Sequence, residues 1–308
     1  MYSWQYKEAN ITEDSKIIIG LGDSFTQGQG ACDLPIWEQY NWDLKAMQGK
    51  HERDILPYEY EGAWLNQLCK KYMQGWTPIN LGLRGCGNRA TVKELHLHPE
   101  LGLEKAKEKI VILAITGLER FDFVNKAFYD HHHFFAMWPS PWSDGVTNKK
   151  LWEAYYEEIF DERFACIELL LNVAEVATWC KAHNAKFILC SAFDNRLNKE
   201  FFTEHLENLQ NPYTATLTKL IDWSNIFRPE GFANFTDMLV HYEDRDDLKG
   251  GGFYMWAQEF KKGTPKGFFT PCMHPSYKGH NLIAKAMYNY IQNGFKNVDN
   301  TKETPTIL

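Results

Sequence analysis

The sequence predicts a three-layer α/β fold, a parallel sheet with helices on both faces. Five apolar runs stand along the chain with helical patterns between them, and that alternation implies a parallel sheet. The first run is continuously apolar rather than alternating, as strands buried on both faces are. The chain has 308 residues, 44% hydrophobic and 24% charged, an ordinary globular composition. We expect a single domain spanning 1–308.

Each element has its own warrant. Ile17-Ile18-Ile19-Gly20-Leu21 reads as the first strand and runs into Gly22-Asp23-Ser24-Phe25-Thr26, then a polar Gly-rich loop, Gln27-Gly28-Gln29-Gly30. Gly62 to Met73 carries Ala63, Trp64, Leu65, Leu68, Cys69 and Tyr72 on one helical face. Pro78–Gly82 reads as a short second strand and Lys109–Thr116 as the third. Leu151–His183 is long and apolar-rich, two helices or one bent one. Lys186–Ala192 is the fourth strand and Leu220-Ile221-Asp222-Trp223 the fifth. Gly279–Asn293 repeats Leu282, Ile283, Ala286, Met287, Tyr290 and Ile291 at helical spacing. Three long loop insertions are expected, at about 33–60, 121–148 and 228–270. The tail after Asn297 reads as frayed.

Composition excludes some functions. The net charge is −7 and no basic block occurs, so nucleic acid is not an expected partner. No apolar run approaches the ~20 residues that cross a bilayer, so no membrane role is expected. The first residues, Met1-Tyr2-Ser3-Trp4-Gln5-Tyr6-Lys7-Glu8, lack the apolar core of a signal peptide. There are seven cysteines without metal-type spacing, and Cys69, Cys166, Cys180 and Cys190 read as buried free thiols. A cytoplasmic setting fits these features, as would a phage-encoded protein made in a host cytoplasm. Nothing in the sequence fixes an oligomeric state.

Ser24 stands at a strand's carboxyl end, where open α/β sheets place reactive groups. A serine hydroxyl needs a base to act as a nucleophile. His274, in Cys272-Met273-His274-Pro275-Ser276, is the candidate base, and Ser276 is the better cap for the helix that follows. An Asp-Ser pair after a strand also serves as a helix cap or turn.

These blocks together resemble the SGNH (GDSL-type) hydrolase family. The resemblance implies a flavodoxin-like, five-stranded sandwich and a cofactor-free serine esterase, with Ser24 as nucleophile and His274 as general base. It implies an oxyanion hole from the Ser24 N–H and from Gly85, in Asn80-Leu81-Gly82-Leu83-Arg84-Gly85-Cys86-Gly87-Asn88. The chain departs from the family twice. Where members carry an Asp three residues before the histidine, this chain has Pro271. A carbonyl or another acid would then orient His274, with Asp194 and the Asp244–Asp247 cluster as candidates. Where the third block carries Asn, Gly117-Leu118-Glu119-Arg120 has Glu119, whose charge would repel an oxyanion. Asn88, Thr116 or Arg120 would donate instead, and a structural Glu119–Arg120 pair is the other reading. A Thr-x-x-x-Arg pattern in phage-encoded relatives would fit Thr116 and Arg120.

His131-His132-His133 is not read as a metal site, because three consecutive histidines point in different directions. Trp138-Pro139-Ser140-Pro141-Trp142 packs on the body or stacks on sugar rings. The expected substrate is a small-molecule or glycan ester, an acetyl ester among them. The alternatives are an SGNH-shaped binding or structural protein with impaired catalysis, and an acyltransferase using the same serine.

Overall fold

The computed structural model describes residues 10–31, 52–124, 134–137, 153–207, 216, 218–219, 221–242, 268–269 and 274–297. Its strands are β1 (Lys16–Leu21), β2 (Thr77–Asn80), β3 (Glu108–Ile115), β4 (Phe121–Val124), β5 (Phe134–Met137) and β6 (Lys186–Ser191). The main sheet has the order β2-β1-β3-β6 and is parallel throughout. Ile19 lies opposite Ile79 on one side and Val111 on the other, and Val111 faces Phe187. This matches the first four places of the doubly wound 2-1-3-4-5 order.

The fifth strand expected at Leu220–Trp223 is absent there. The Asp222 carboxylate accepts the Ser224 N–H and starts a 3₁₀ turn, Trp223–Asn225. Only afterwards does the chain reach the sheet edge. Ile226 bridges Leu189 in parallel, and the Phe227 N–H donates to the Leu189 carbonyl at 2.8 Å. Pro229, which opens the next 3₁₀ turn, has no N–H to extend a ladder. Among the described residues, four strands and one bridge therefore stand where five strands were expected.

The helices are α1 (Ser24–Gln27), α2 (Glu52–Gly62), α3 (Trp64–Gln67), α4 (Asn88–Lys93), α5 (Glu162–Ala182), α6 (Lys199–Glu207), α7 (Phe235–Tyr242) and α8 (Tyr277–Gln292). The single helix expected over Gly62–Met73 is divided: α2 ends at Gly62, and α3 runs into a π-turn, Leu68–Tyr72. The Leu151–His183 stretch is also two pieces. A π-turn, Tyr155–Ile159, precedes α5, whose N-cap Asp161 accepts the Arg163 N–H.

Strand side chains alternate between two cores. Ile17, Ile19, Val111 and Leu113 pack with Leu169 and Val173 of α5 and Phe202 of α6. Ile18, Ile110 and Ile112 face the other way, against Trp64 and Leu65 of α3, Met238 of α7, and Ile283 and Met287 of α8. Each such fully buried side chain contributes about 1.5–3 kcal/mol of transfer free energy. The two cores clamp the sheet and fix the strand ends on which the site stands.

The insertions carry regular structure. The end of the 33–60 stretch is the start of α2, with Pro57 inside it. The 121–148 stretch contains the β4–β5 antiparallel hairpin. The 228–270 stretch contains α7. His131–His133, Trp138–Trp142, Asp244–Asp247, Pro271 and the tail after Asn297 lie outside the described residues. Cys69, Cys166, Cys180 and Cys190 are buried free thiols, as is Cys86. Among the described residues no helix is long and apolar enough to cross a membrane.

His98 follows α4 and sits between two carboxylates, its Nε2 2.9 Å from Glu94 and its Nδ1 3.2 Å from Glu100. Burial pulls its pKa down, but hydrogen bonds and charge from Glu94 and Glu100 outweigh that and raise it. A raised folded-state pKa gives stability fully present below the unfolded value of about 6.5 and lost as pH rises through the folded value. His98→Gln is therefore expected to lower the melting midpoint most below about pH 6.5. The gap to wild type should shrink as pH climbs, and a gap constant with pH would refute this linkage.

Candidate active site

The β1 strand delivers Ser24 by a tight turn. Asp23 is the N-cap of α1, and its Oδ1 accepts the Phe25 N–H at 3.0 Å. Ser24 therefore opens a helix, where backbone N–H groups lack intrahelical acceptors. The α1 turn packs closely on the segment after β2. The Asn80 amide donates to the Thr26 carbonyl at 2.8 Å, and Asn80 Oδ1 accepts the Gly82 N–H at 3.0 Å. A Cβ on Gly82 would fall 2.4 Å from the Gln27 backbone nitrogen. Gly82→Ala is accordingly expected to cost about 1–3 kcal/mol and to displace the Ser24 turn. A melting curve indistinguishable from wild type would contradict that.

His274 arrives from the far end of the chain. Phe269 bridges Pro275, the Ser276 N–H donates to the Phe268 carbonyl at 2.8 Å, and Ser276 caps α8 by accepting the Gly279 N–H. Ser276 thus takes the capping role expected of it. His274 Nε2 lies 2.7 Å from Ser24 Oγ, within hydrogen-bond reach. Its ring packs on Phe25 at 5.6 Å between centroids, and Phe25 in turn packs on Phe193 at 5.6 Å. Ser24 is 6% exposed, so the hydroxyl is reachable but largely sheltered.

Behind the serine is a buried charge. Asp23 is fully buried, and its Oδ2 accepts both the Thr116 hydroxyl at 2.9 Å and the Arg120 guanidinium at 3.0 Å. Arg120 also donates to the Cys86 carbonyl at 3.1 Å and lies over the Phe193 ring. One guanidinium thus ties the Ser24 turn to the glycine block. Gly85 sits in that block at φ 67°, a backbone region that favours glycine. Asn88, at the start of α4, joins the same ground: its Oδ1 accepts the Thr116 N–H at 2.8 Å and its amide donates to the Thr116 carbonyl at 3.3 Å.

Several expectations need correction. Glu119 does not pair with Arg120. It pairs with Arg196, while Arg120 pairs with Asp23. Asp194, a candidate to orient His274, is engaged by Arg196 and accepts the Leu118 N–H at 3.2 Å. The Arg196 guanidinium stands between Glu119 and Asp194 and draws both carboxylates to itself.

Three further contributors carry no local sequence signal. Asp122, on β4, accepts the Gly87 N–H at 2.6 Å and the Ala90 N–H at 2.8 Å, so the hairpin caps α4 and steadies the glycine block. Burial raises the Asp122 pKa against the pull of those N–H groups and of Arg120 and Arg89. Glu59 of α2 accepts the Gly30 N–H at 2.8 Å and pairs with Arg84, whose Nε donates to Gln27 Oε1 at 2.7 Å. His280 of α8 is fully buried and accepts the Trp64 N–H on Nδ1 at 3.2 Å. Burial, then the neighbouring His274, push its pKa down to about 3, against a smaller upward pull from the Gln29 carbonyl. Its neutral tautomer carries the proton on Nε2, and it does not compete with His274 as a base. Burial, then the Asp122 charge, push the Cys86 thiol well up, which disfavours its thiolate.

No protein-family model and no curated protein matches this sequence. Among solved structures, the chain is similar to the psychrotrophic esterase EstA from Pseudoalteromonas sp., at 13% identity over 91% of this chain and 98% of that chain, with a TM-score of 0.41. It is similar to a carbohydrate esterase whose active site is described as displaying divergent catalytic and non-catalytic binding functions, at 11% identity over 91% and 69% of the two chains, TM-score 0.40. It is also similar to a protein described as a GDSL-like lipase from Parabacteroides merdae ATCC 43184, at 14% identity over 94% and 99%, TM-score 0.36.

Proposed function

We propose that the protein is a serine esterase of the SGNH type, hydrolysing a small acyl ester without a cofactor. The observation that carries this is the 2.7 Å approach of His274 Nε2 to Ser24 Oγ. His274 takes the Ser24 proton as Oγ attacks the ester carbonyl and forms the tetrahedral intermediate. The proton then passes to the departing alkoxide, which leaves as the alcohol. Water, deprotonated by the same imidazole, attacks the acyl-enzyme, and the acid leaves as Ser24 Oγ recovers its proton.

The oxyanion would be met by the Ser24 N–H, the Gly85 N–H and the Asn88 amide. Thr116 and Arg120, candidate donors on sequence grounds, serve instead through Asp23, to which each donates a hydrogen bond. The glycan acetyl ester expected earlier rests on Trp138–Trp142, outside the described residues.

A second reading, an SGNH-shaped binding protein with impaired catalysis, is favoured by Pro271 where relatives carry Asp and by Glu119 where they carry Asn. Hydrolysis of p-nitrophenyl acetate by purified protein separates the two. We expect turnover that Ser24→Ala abolishes. A wild-type rate no higher than that of Ser24→Ala would favour the binding protein.

A further inference from the structure

Beside the site lies a cavity of about 320 Å³ that the mechanism above does not use. Asn88 and Arg120 line its inner side, so it shares two side chains with the ground behind Ser24. Its outer side comes from the Tyr155–Ile159 turn and from α5, and there Tyr155, Phe160 and Phe164 present their rings. Two large apolar side chains stand open to solvent here: Ile159 is 67% and Phe164 58% exposed. Small-molecule pockets have this build, an apolar lining with a few polar groups that converge.

The polar group that sets the chemistry is Asn172, on the third turn of α5. It lines the cavity, is 9% exposed, and its amide has no hydrogen-bond partner among the described residues. That amide is open to the cavity, and a ligand that covers it has to supply the hydrogen bond that water otherwise gives. Glu168, one turn earlier on the same helix, also lines the cavity and offers an acceptor.

We propose that this cavity binds an aromatic ring bearing a hydroxyl group, held as the ring-bearing part of the ester that Ser24 attacks. The ring lies among the three aromatic side chains in offset or edge contact. Its hydroxyl exchanges hydrogen bonds with Asn172 and Glu168. A sugar would press most of its hydroxyls against carbon, and a plain alkyl chain would leave the Asn172 amide unpaired. The link to catalysis rests on the serine-esterase reading; the binding itself does not.

The test is therefore read where chemistry is switched off. Phenol, toluene and glucose are titrated into the full-length Ser24→Ala protein, followed by NMR. Phenol is expected to bind and glucose not. Asn172→Leu should weaken phenol at least about tenfold and leave toluene unchanged. Ala165→Trp, which fills the cavity, should abolish binding of both aromatic probes. Should that variant fail to fold, Phe164→Ser at the exposed rim serves in its place and should weaken both. Phenol binding no better than glucose, or binding indifferent to Asn172→Leu, would overturn the proposal and leave the cavity to water. Turnover of p-nitrophenyl acetate by wild type is scored separately, so an empty cavity and an inert serine give different results.

Discussion

Removing either Ser24 or His274 is expected to lower kcat for an activated ester by roughly 10⁴-fold or more, and removing both to cost little beyond either alone. The reason is the shared proton. A serine hydroxyl is a poor nucleophile at neutral pH, and only the imidazole 2.7 Å away makes it competent. Without His274 the hydroxyl has nowhere to send its proton, and without Ser24 the imidazole has nothing to activate. Groups that act as a unit are non-additive in this way. The check is a double-mutant cycle of Ser24→Ala and His274→Ala on p-nitrophenyl acetate. Two independent losses that add would mean the contact is not catalytic, and three unchanged rates would remove the esterase reading.

The second large effect concerns Arg120. Its guanidinium is 11% exposed and pairs with an Asp23 side chain that is fully buried. Breaking a buried pair by removing one partner leaves an uncompensated charge, at a cost of about 3–5 kcal/mol. Arg120→Met is therefore expected to lower the melting midpoint substantially. It should also lower kcat more than it changes KM, because the Cys86 carbonyl and the Asp23 turn lose their common tie. Arg120→Lys keeps the charge and should recover part of the stability. Both bonds leave Nη1 while the guanidinium plane lies over the Phe193 ring, and a shorter ammonium side chain cannot reproduce that placement, so kcat should recover less. A full-strength kcat in Arg120→Met would show that the tie plays no part in positioning Ser24.

Much of this architecture was legible in the chain itself, wherever the signal was local. The run Ile17–Leu21 and the run Lys109–Thr116 became adjacent parallel strands because apolar side chains on both faces need covering from both sides. The meeting of Ser24 and His274 was legible because a serine at a strand end has chemical use only beside a base, and the chain offers a histidine in a matching block. The failures share a cause. Leu220–Trp223 looked like a strand by composition, yet Asp222 found nearer partners in Ser224 and Asn225. Phe121–Val124 and Phe134–Met137 fall in a stretch that reads as loop, yet pair as antiparallel strands, and the Pro57 inside α2 hides a helix. The alternative pairing of Glu119 with its sequence neighbour fails because Glu119 reaches Arg196, 77 residues on. Asp23 likewise meets Arg120 across 97 residues, a pairing no local pattern records.

The Ser24–His274 contact spans 250 positions of sequence, and that separation orders events in time. Ribosomes release Ser24 long before His274. In a nascent chain Ser24 therefore lacks its imidazole partner until α8 docks, through the Trp64 N–H to His280 and through Gln67 to the Tyr277 carbonyl. Closing so long a loop is entropically slow, and it follows the assembly of the central strands. On the serine-esterase reading, the appearance of activity during refolding should then trail the recovery of backbone circular dichroism, and turnover would report the completion of folding.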